Sequence, residues 1–340
     1  MPAFSNKNEN PYNWLLYTNI LNFGVYVDEY SPLNILKKRY EIFHIHWPEK
    51  FLCNPNFLKA FFRTVQFLII LFISKIKGTK IVWTVHNLKS HENYYPFFEE
   101  IFWKIFIPFV EAYISLTEKG DLMVKERFRK IKGKKGVVIP IGHYKNFYPD
   151  KINKESAREK LGIPSNFKVI LYFGLIRDYK NVLSLINSFR LIEEREILLL
   201  IVGKTFNDKI KRDVEIASSE DSRIRTFLRF VPDDEVEIYM KSSDLMVLPQ
   251  KEVFNSSSII LALSYNIPVL IPENFTGEEL KRKLGEKWVK TFHELNPEII
   301  KESLEWAETE RGEWEVPDDM KWENIAEKTI KFYKTVMGII

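Results

Sequence analysis

The chain has 340 residues, 45% of them hydrophobic and 14% aromatic, which excludes disorder. That length exceeds one ordinary core, so two domains of roughly 150 to 170 residues are expected. Fifty cations against 46 anions leave a formal charge of only +4, and bulk charge makes no case for nucleic acid. A single cysteine, Cys53, forms no internal disulfide and no secretory signal opens the sequence; both features predict a reducing, cytoplasmic setting.

In chain order, residues 42–45 and 80–85 read as short buried strands with the apolar run FLKAFFRTVQFLIILFISKIK between them, a βαβ unit. The uncharged part of that run, 64–74, is too short for the roughly 20 apolar residues of a spanning helix. It reads as a core helix. The alternative is a helix that touches a membrane surface, since Lys59, Arg63, Lys75 and Lys77 flank its aromatic centre. The aromatic run 94–109 carries the same two readings. A strand follows at 112–116, then a helix at 118–129 with Thr117 as its N-cap. The segment GVVIPIGHYKNFYPD, 136–150, runs from a strand into Gly, Pro and aromatic turn signals, and the domain boundary is placed after it.

The second half alternates more cleanly. Strands are predicted at 168–173, 197–202, 224–230, 244–248 and 268–271. Helices are predicted at 182–193, 207–218, 233–241 and 256–265, with more helix near the end and a final amphipathic helix over 320–337. Alternating β and α elements imply a parallel, doubly wound sheet, with ligands at the carboxyl ends of the strands. The fold class is therefore α/β, two doubly wound parallel-sheet domains facing a cleft. The divisions are 1–150, 151–318 and a terminal helix, 319–340, packing back toward the first domain.

Four stations of chemical interest fall at strand ends of the second domain. Gly174 is followed by Arg177 and Lys180 at a strand-to-helix turn, where a glycine admits close backbone approach, the helix start offers N–H groups and cations neutralise anionic oxygens. An ordinary turn with two solvated cations is the plain alternative. Gly203 and Lys204 follow the next strand, and Phe230-Val231 precede a helix opened by Asp233 and Asp234. At the fourth, Asn255-Ser256-Ser257-Ser258 precede an apolar helix; such residues cap helices, and they also present donors to a diphosphate.

Taken together, VVIPIGHYKNFYP, the Arg/Lys turn, VPDDEVEIYMKSSDLMVLP and ALSYNIPVL, with FHIHWPEKFL and WTVHNLKSHE in the first half, resemble GT-B fold nucleotide-sugar glycosyltransferases with two Rossmann-like domains. Many relatives carry two glutamates about eight residues apart near the fourth station, associated with retaining transfer. Here Glu252 can stand for the first, but Ile260 and Leu261 occupy the region of the second. Asn-Ser-Ser-Ser followed by Ala-Leu-Ser is similar instead to the inverting β-mannosyltransferase-like branch of polysaccharide assembly.

The resemblance implies a metal-independent, inverting hexosyltransferase with a GDP- or UDP-sugar as co-substrate and no cofactor, moving mannose from GDP-mannose onto a lipid-linked or glycan acceptor. The basic, aromatic composition of the first half predicts a peripheral contact with the inner, cytoplasmic membrane surface, and the charge balance predicts no nucleic-acid partner. A nucleotide-sugar 2-epimerase and a non-catalytic nucleotide-sugar-binding partner of an assembly complex are the alternatives. On the donor side, Arg177, Lys180, Asn255, Ser256, Ser257 and Ser258 are assigned to the diphosphate. Gly174, Gly203, Lys204, Phe230, Val231 and Glu252 are assigned to the nucleotide. On the acceptor side, His86 contacts the donor sugar, and Glu49 and Glu92 are the candidate bases, with Glu49 favoured. Asn10, Tyr12, His44 and His46 would bind acceptor. His44 and His46 share a strand face, but no carboxylate and cysteine set supports a metal site there.

Overall fold

The computed structural model describes residues 2–90, 92, 94–250 and 257–340. The chain divides into two compact units, one formed by residues 1–142 with 318–340 and the other by 143–317. The first begins with helices α1 (Tyr12–Leu21) and α2 (Pro32–Lys37). It continues through β1 (Ile42–Ile45), α3 (Phe57–Ile76), β2 (Lys80–Val85), α4 (Pro96–Phe109), β3 (Ala112–Ser115), α5 (Glu118–Arg127) and β4 (Lys135–Val138). The four strands are parallel and lie in chain order. Thr117 caps α5, its hydroxyl accepting from the Gly120 N–H at 2.9 Å.

The second unit runs α6 (Lys154–Lys160), β5 (Lys168–Phe173), α7 (Val182–Arg190), β6 (Ile197–Val202), α8 (Asp208–Ser219), β7 (Ile224–Phe227), α9 (Val236–Ser242) and β8 (Leu245–Val247). It closes with α10 (Ser257–Ser264), β9 (Val269–Pro272), α11 (Phe275–Leu284), β10 (Val289–Phe292) and α12 (Pro297–Ala307). Its parallel sheet has the order β10-β9-β8-β5-β6-β7. The order reverses between β5 and β8, the switch point at which open α/β sheets hold ligands. The core strands are continuous apolar runs; every residue of β6, ILLLIV, is buried.

The last helix, α13 (Trp322–Met337), belongs to the first unit, where it packs on α1. This gives the first sheet two different coverings. On one face Trp83 of β2 meets Trp103 and Phe106 of α4, and Phe106 meets Phe67 of α3. On the other, His44 of β1 and His46 just after it meet Tyr17 of α1, and His44 meets Tyr333 of α13. The alternation of side chains along β1 therefore puts Ile45 among apolar helices and the two histidines among tyrosines.

Candidate functional site

In the second unit the chemistry gathers at the switch point. β5 is followed by Gly174 (φ 142°) and β6 by Gly203 (φ 144°), a backbone region that side chains disfavour. A Cβ on Gly203 would lie 1.9 Å from the Gly174 carbonyl oxygen, so the two turns touch through bare backbone. Beyond them the ribbon stays zipped: Ile176 donates to the Lys204 carbonyl and Phe206 to the Ile176 carbonyl, each at 2.9 Å. That pairing sets the Arg177 guanidinium over the Phe206 ring, 4.8 Å from its centre.

A 3₁₀ turn over Asp178–Lys180 then leads into α7. Two bonds cross from this turn to the segment after β8. Lys180 Nζ donates to Gln250 Oε1 at 2.8 Å, and Asn181 Nδ2 to the Pro249 carbonyl at 3.2 Å. Burial, with Arg177 nearby, brings the Lys180 ammonium down to about 8. From the other side of the switch α10 opens with Ser257, exposed, and Ser258, half-buried. The Ser258 hydroxyl lies 3.3 Å from where a Gly174 Cβ would stand. Two glycine turns, two cations and a helix start thus face one place. Lys204 is exposed beside it; Phe230 is half exposed and Val231 buried after β7. Glu252, Asn255 and Ser256 lie outside the described residues.

The first unit has its own cluster at the carboxyl ends of β1 and β2. Pro48 and Glu49 open a 3₁₀ turn that buries the Glu49 side chain. Asn87 Nδ2 donates to Glu49 Oε1 at 2.6 Å, while Oε2 is buried with no hydrogen-bond partner among the described residues. Desolvation, only partly offset by Asn87, raises the Glu49 carboxyl to about 7. Glu92 is half-buried and accepts from the Cys53 thiol at 3.2 Å, and the Cys53 sulfur also contacts Ser90 Oγ at 3.1 Å. Each carboxylate is thus held by the loop opposite its own, Glu92 by the loop after β1 and Glu49 by the loop after β2.

His86 leaves β2 half-buried, stacked on Trp47 at 4.3 Å and edge-on to Tyr12 at 5.0 Å. Its Nε2 lies 3.1 Å from His46 Nδ1, and the other His46 nitrogen bonds the Tyr17 hydroxyl at 2.7 Å. His44 is likewise engaged at both nitrogens, with Thr84 Oγ1 at 2.7 Å and the Tyr333 hydroxyl at 2.6 Å. Burial pushes both His44 and His46 well below the usual imidazole range. The acceptor-binding role expected of His44 and His46 thus meets two buried rings with no open nitrogen, and it is His46 that contacts His86. Tyr12 is buried against His86 and Trp322, and Asn10 spends its Oδ1 on the Tyr12 N–H at 3.1 Å, turning the chain into α1. Among the described residues no group of three or more His, Cys, Asp or Glu side chains is arranged to hold a metal ion.

A cavity of about 310 Å³ in the same unit is lined by Tyr26, Tyr30, Tyr40 and Phe43 at the amino end of β1. It lies at the opposite end of that strand from Glu49 and stands apart from the carboxylate pair. Sequence reasoning missed Asn87, Gln250, Phe206, Tyr17 and Tyr333. Asn87 and Gln250 were open to discovery as polar residues just past strand ends; the two tyrosines carried no signal, because only packing brings them to the histidines.

Residues 153–329, just over half of the chain, match the family described as Glycosyl transferases group 1. The chain is 28% identical over 284 residues to the GDP-mannose:glycolipid 4-beta-D-mannosyltransferase of Xanthomonas campestris pv. campestris, covering 84% of this chain and 76% of that one. Among solved structures it is similar to sucrose-phosphate synthase from Thermosynechococcus elongatus, with a TM-score of 0.64 and 16% identity over 96% of this chain and 79% of that one. It is also similar to Anabaena HepE in complex with UDP-glucose, with a TM-score of 0.60 and 15% identity over 95% and 88%. With its two parallel-sheet units of the GT-B class and a family match over more than half its length, this chain belongs to the glycosyl transferases group 1 and is a glycosyltransferase.

Proposed function

We propose that the enzyme moves a hexose, mannose from GDP-mannose, onto a lipid-linked or glycan acceptor with inversion and without a metal ion. The observation that carries the reading is the convergence of Gly174, Gly203, Arg177, Lys180 and the start of α10 at the switch point of the second sheet. Bare backbone, two cations and a helix N-terminus suit a diphosphate. Mannose and the lipid acceptor are supported by the Xanthomonas relative, whose name specifies GDP-mannose and a glycolipid. In this reading the second unit is the donor domain and the first the acceptor domain.

The step is a displacement at the anomeric carbon. The acceptor hydroxyl gives its proton to a carboxylate as its oxygen forms the new glycosidic bond. The bond from the anomeric carbon to the β-phosphate oxygen breaks, and the electron pair leaves with the nucleoside diphosphate. Arg177 and Lys180 neutralise charge that grows on that leaving group. Glu49 takes the proton: a carboxyl held near pH 7 is matched to base catalysis near neutrality. Inversion is supported by the sequence at the head of α10, where Ser257, Ser258, Ile259, Ile260 and Leu261 contribute no second carboxylate.

The test is thermal unfolding with GDP-, UDP- and dTDP-sugars, followed by NMR of the product. GDP-mannose is expected to stabilise the wild type and not Arg177→Ala, because a ligand that binds only the native state raises its apparent stability. The new bond is expected with inverted configuration. Stabilisation by no sugar nucleotide, or a product of retained configuration, refutes the proposal.

A further inference from the structure

Helix α3 is apolar on two opposite faces. One stripe, including Ala60, Phe67, Ile70 and Leu71, is buried against the first unit's core. The opposite stripe runs Leu58, Phe62, Val65, Ile69, Phe72 and Ile76, spaced by four, three, four, three and four residues, which keeps it on one side of a 3.6-residue helix. Five of these six are exposed, Phe62 at 66% and Ile76 at 70%. A surface helix of a soluble protein normally carries its charges there. Beside it α4 exposes Phe97, at 80%, with Ile101 and Ile105, and the two helices meet through the rings of Phe57, Phe61 and Phe98. This is one continuous apolar face.

The charges around that face are of one dominant sign. Residues 57–80 contain no Asp or Glu, and Lys59, Arg63, Lys75 and Lys77 fall beside the apolar stripe rather than in it. Lys59, Arg63 and Lys104 are exposed and make no ion pair among the described residues. Lys75 pairs with Glu111, Glu100 of α4 pairs with Arg127, and Lys77 donates to the main-chain carbonyls of Ile35, Leu36 and Lys38. An isologous contact with a second copy would set these cations against themselves. Nor does α3 cross a bilayer while the unit stays folded. It joins β1 to β2, neighbours in one parallel sheet, and its inner stripe is already spent on the core.

We propose that α3 and α4 lie flat on an anionic lipid bilayer, with Phe62, Ile69, Phe72 and Phe97 in the interface and Lys59, Arg63 and Lys104 at the headgroup phosphates. The inference rests on the lipid-linked acceptor proposed for the enzyme only for its purpose. Vesicle binding without any sugar nucleotide tests it separately from transfer. The experiment is sedimentation of the full chain with phosphatidylglycerol–phosphatidylcholine vesicles and with phosphatidylcholine vesicles alone. The wild type is expected to bind the anionic vesicles and to dissociate as salt is raised. Phe62→Ser with Phe72→Ser should weaken binding about 100-fold, and Lys59→Glu with Arg63→Glu about 30-fold. All four positions are exposed, so the circular dichroism and nucleotide stabilisation of both variants should match the wild type. No wild-type binding, equal binding to both vesicle types, or unchanged binding by the Phe62/Phe72 variant overturns the proposal. So does a wild-type dimer that the Phe62/Phe72 variant abolishes.

Discussion

At the carboxyl ends of β1 and β2 charge is taken away. The Glu49 carboxyl is lifted to about 7, and His44, His46 and His86 are pressed below the imidazole range, first of all by loss of solvent. At the ends of β5, β6 and β8 charge is assembled. Burial first, and then the neighbouring Arg177, lowers the basicity of Lys180, beside a helix start that adds positive potential of its own. The first cluster is a set of uncharged histidines beside one carboxyl raised to about 7, whose ionised form is suited to accepting one proton. The second is a cationic turn made over glycine backbone, suited to a phosphorylated ligand. Each costs stability in its own way, through a buried carboxyl in one and through two glycine turns and crowded cations in the other.

The largest effect that bears on this contrast is expected at Glu49. Glu49→Gln should lower kcat about 10³-fold, within the range of general base catalysis. Its effect on folding has the opposite direction. A carboxyl raised from 4.5 to about 7 keeps its proton in the folded state over a window where the unfolded chain has lost it. Wild-type stability therefore falls as pH rises through that window, and the cost is complete above pH 7. The amide avoids it, so chemical denaturation at pH 8 should find the variant more stable by up to about 3 kcal/mol. Wild-type turnover in Glu49→Gln would move the base to Glu92.

Gly203→Ala strikes the second cluster through its backbone. The new methyl meets the Gly174 carbonyl, which cannot retreat while Gly174 donates to Val202 at 3.0 Å. A loss of about 3 kcal/mol is expected, the upper end for overpacking, and a urea midpoint measures it. An unchanged midpoint would mean that the two turns are not in contact. Arg177→Ala should follow with about a 10²-fold loss in kcat/KM and a shift in stability under about 1 kcal/mol, since a partly exposed cation contributes little to folding. The smallest effect is a pH dependence. Lys180 loses its proton as pH rises through about 8, so GDP-mannose binding should weaken above that pH and be flat there in Lys180→Met. Calorimetric titration at pH 7 and 9 reads the difference.

Much of the second unit is legible in its amino-acid pattern. β5 and β6 fall at 168–173 and 197–202 as predicted, because a strand buried on both faces is an unbroken apolar run bounded by polar residues. β10 escapes such reading, since Val289–Phe292 has two adjacent polar residues between its apolar ends, follows a charged helix and is only four residues long. Of α1, only the helix start at Asn10-Pro11-Tyr12 shows in the sequence. The helix is buried on most sides, with Asn13 and Tyr17 inside, and has no amphipathic period to follow. The exposed outer stripe of α3 is equally illegible. Its apolar residues look alike in sequence, and only packing tells which stripe the core takes.

By itself the sequence determined the alternation of strands and helices, the glycines at strand ends and the cations and carboxylates that follow them. These are local: periodicity, turn chemistry and residue type act over a few neighbours. The tertiary structure alone decided which of those groups meet. It joined Lys180 to Gln250 across the strand reversal, Glu49 to Asn87 between two loops, and His44 to Tyr333 from opposite ends of the chain. Such pairings follow from burying apolar faces and satisfying the polar groups trapped with them, and both depend on what the folded chain brings near rather than on what stands next in sequence.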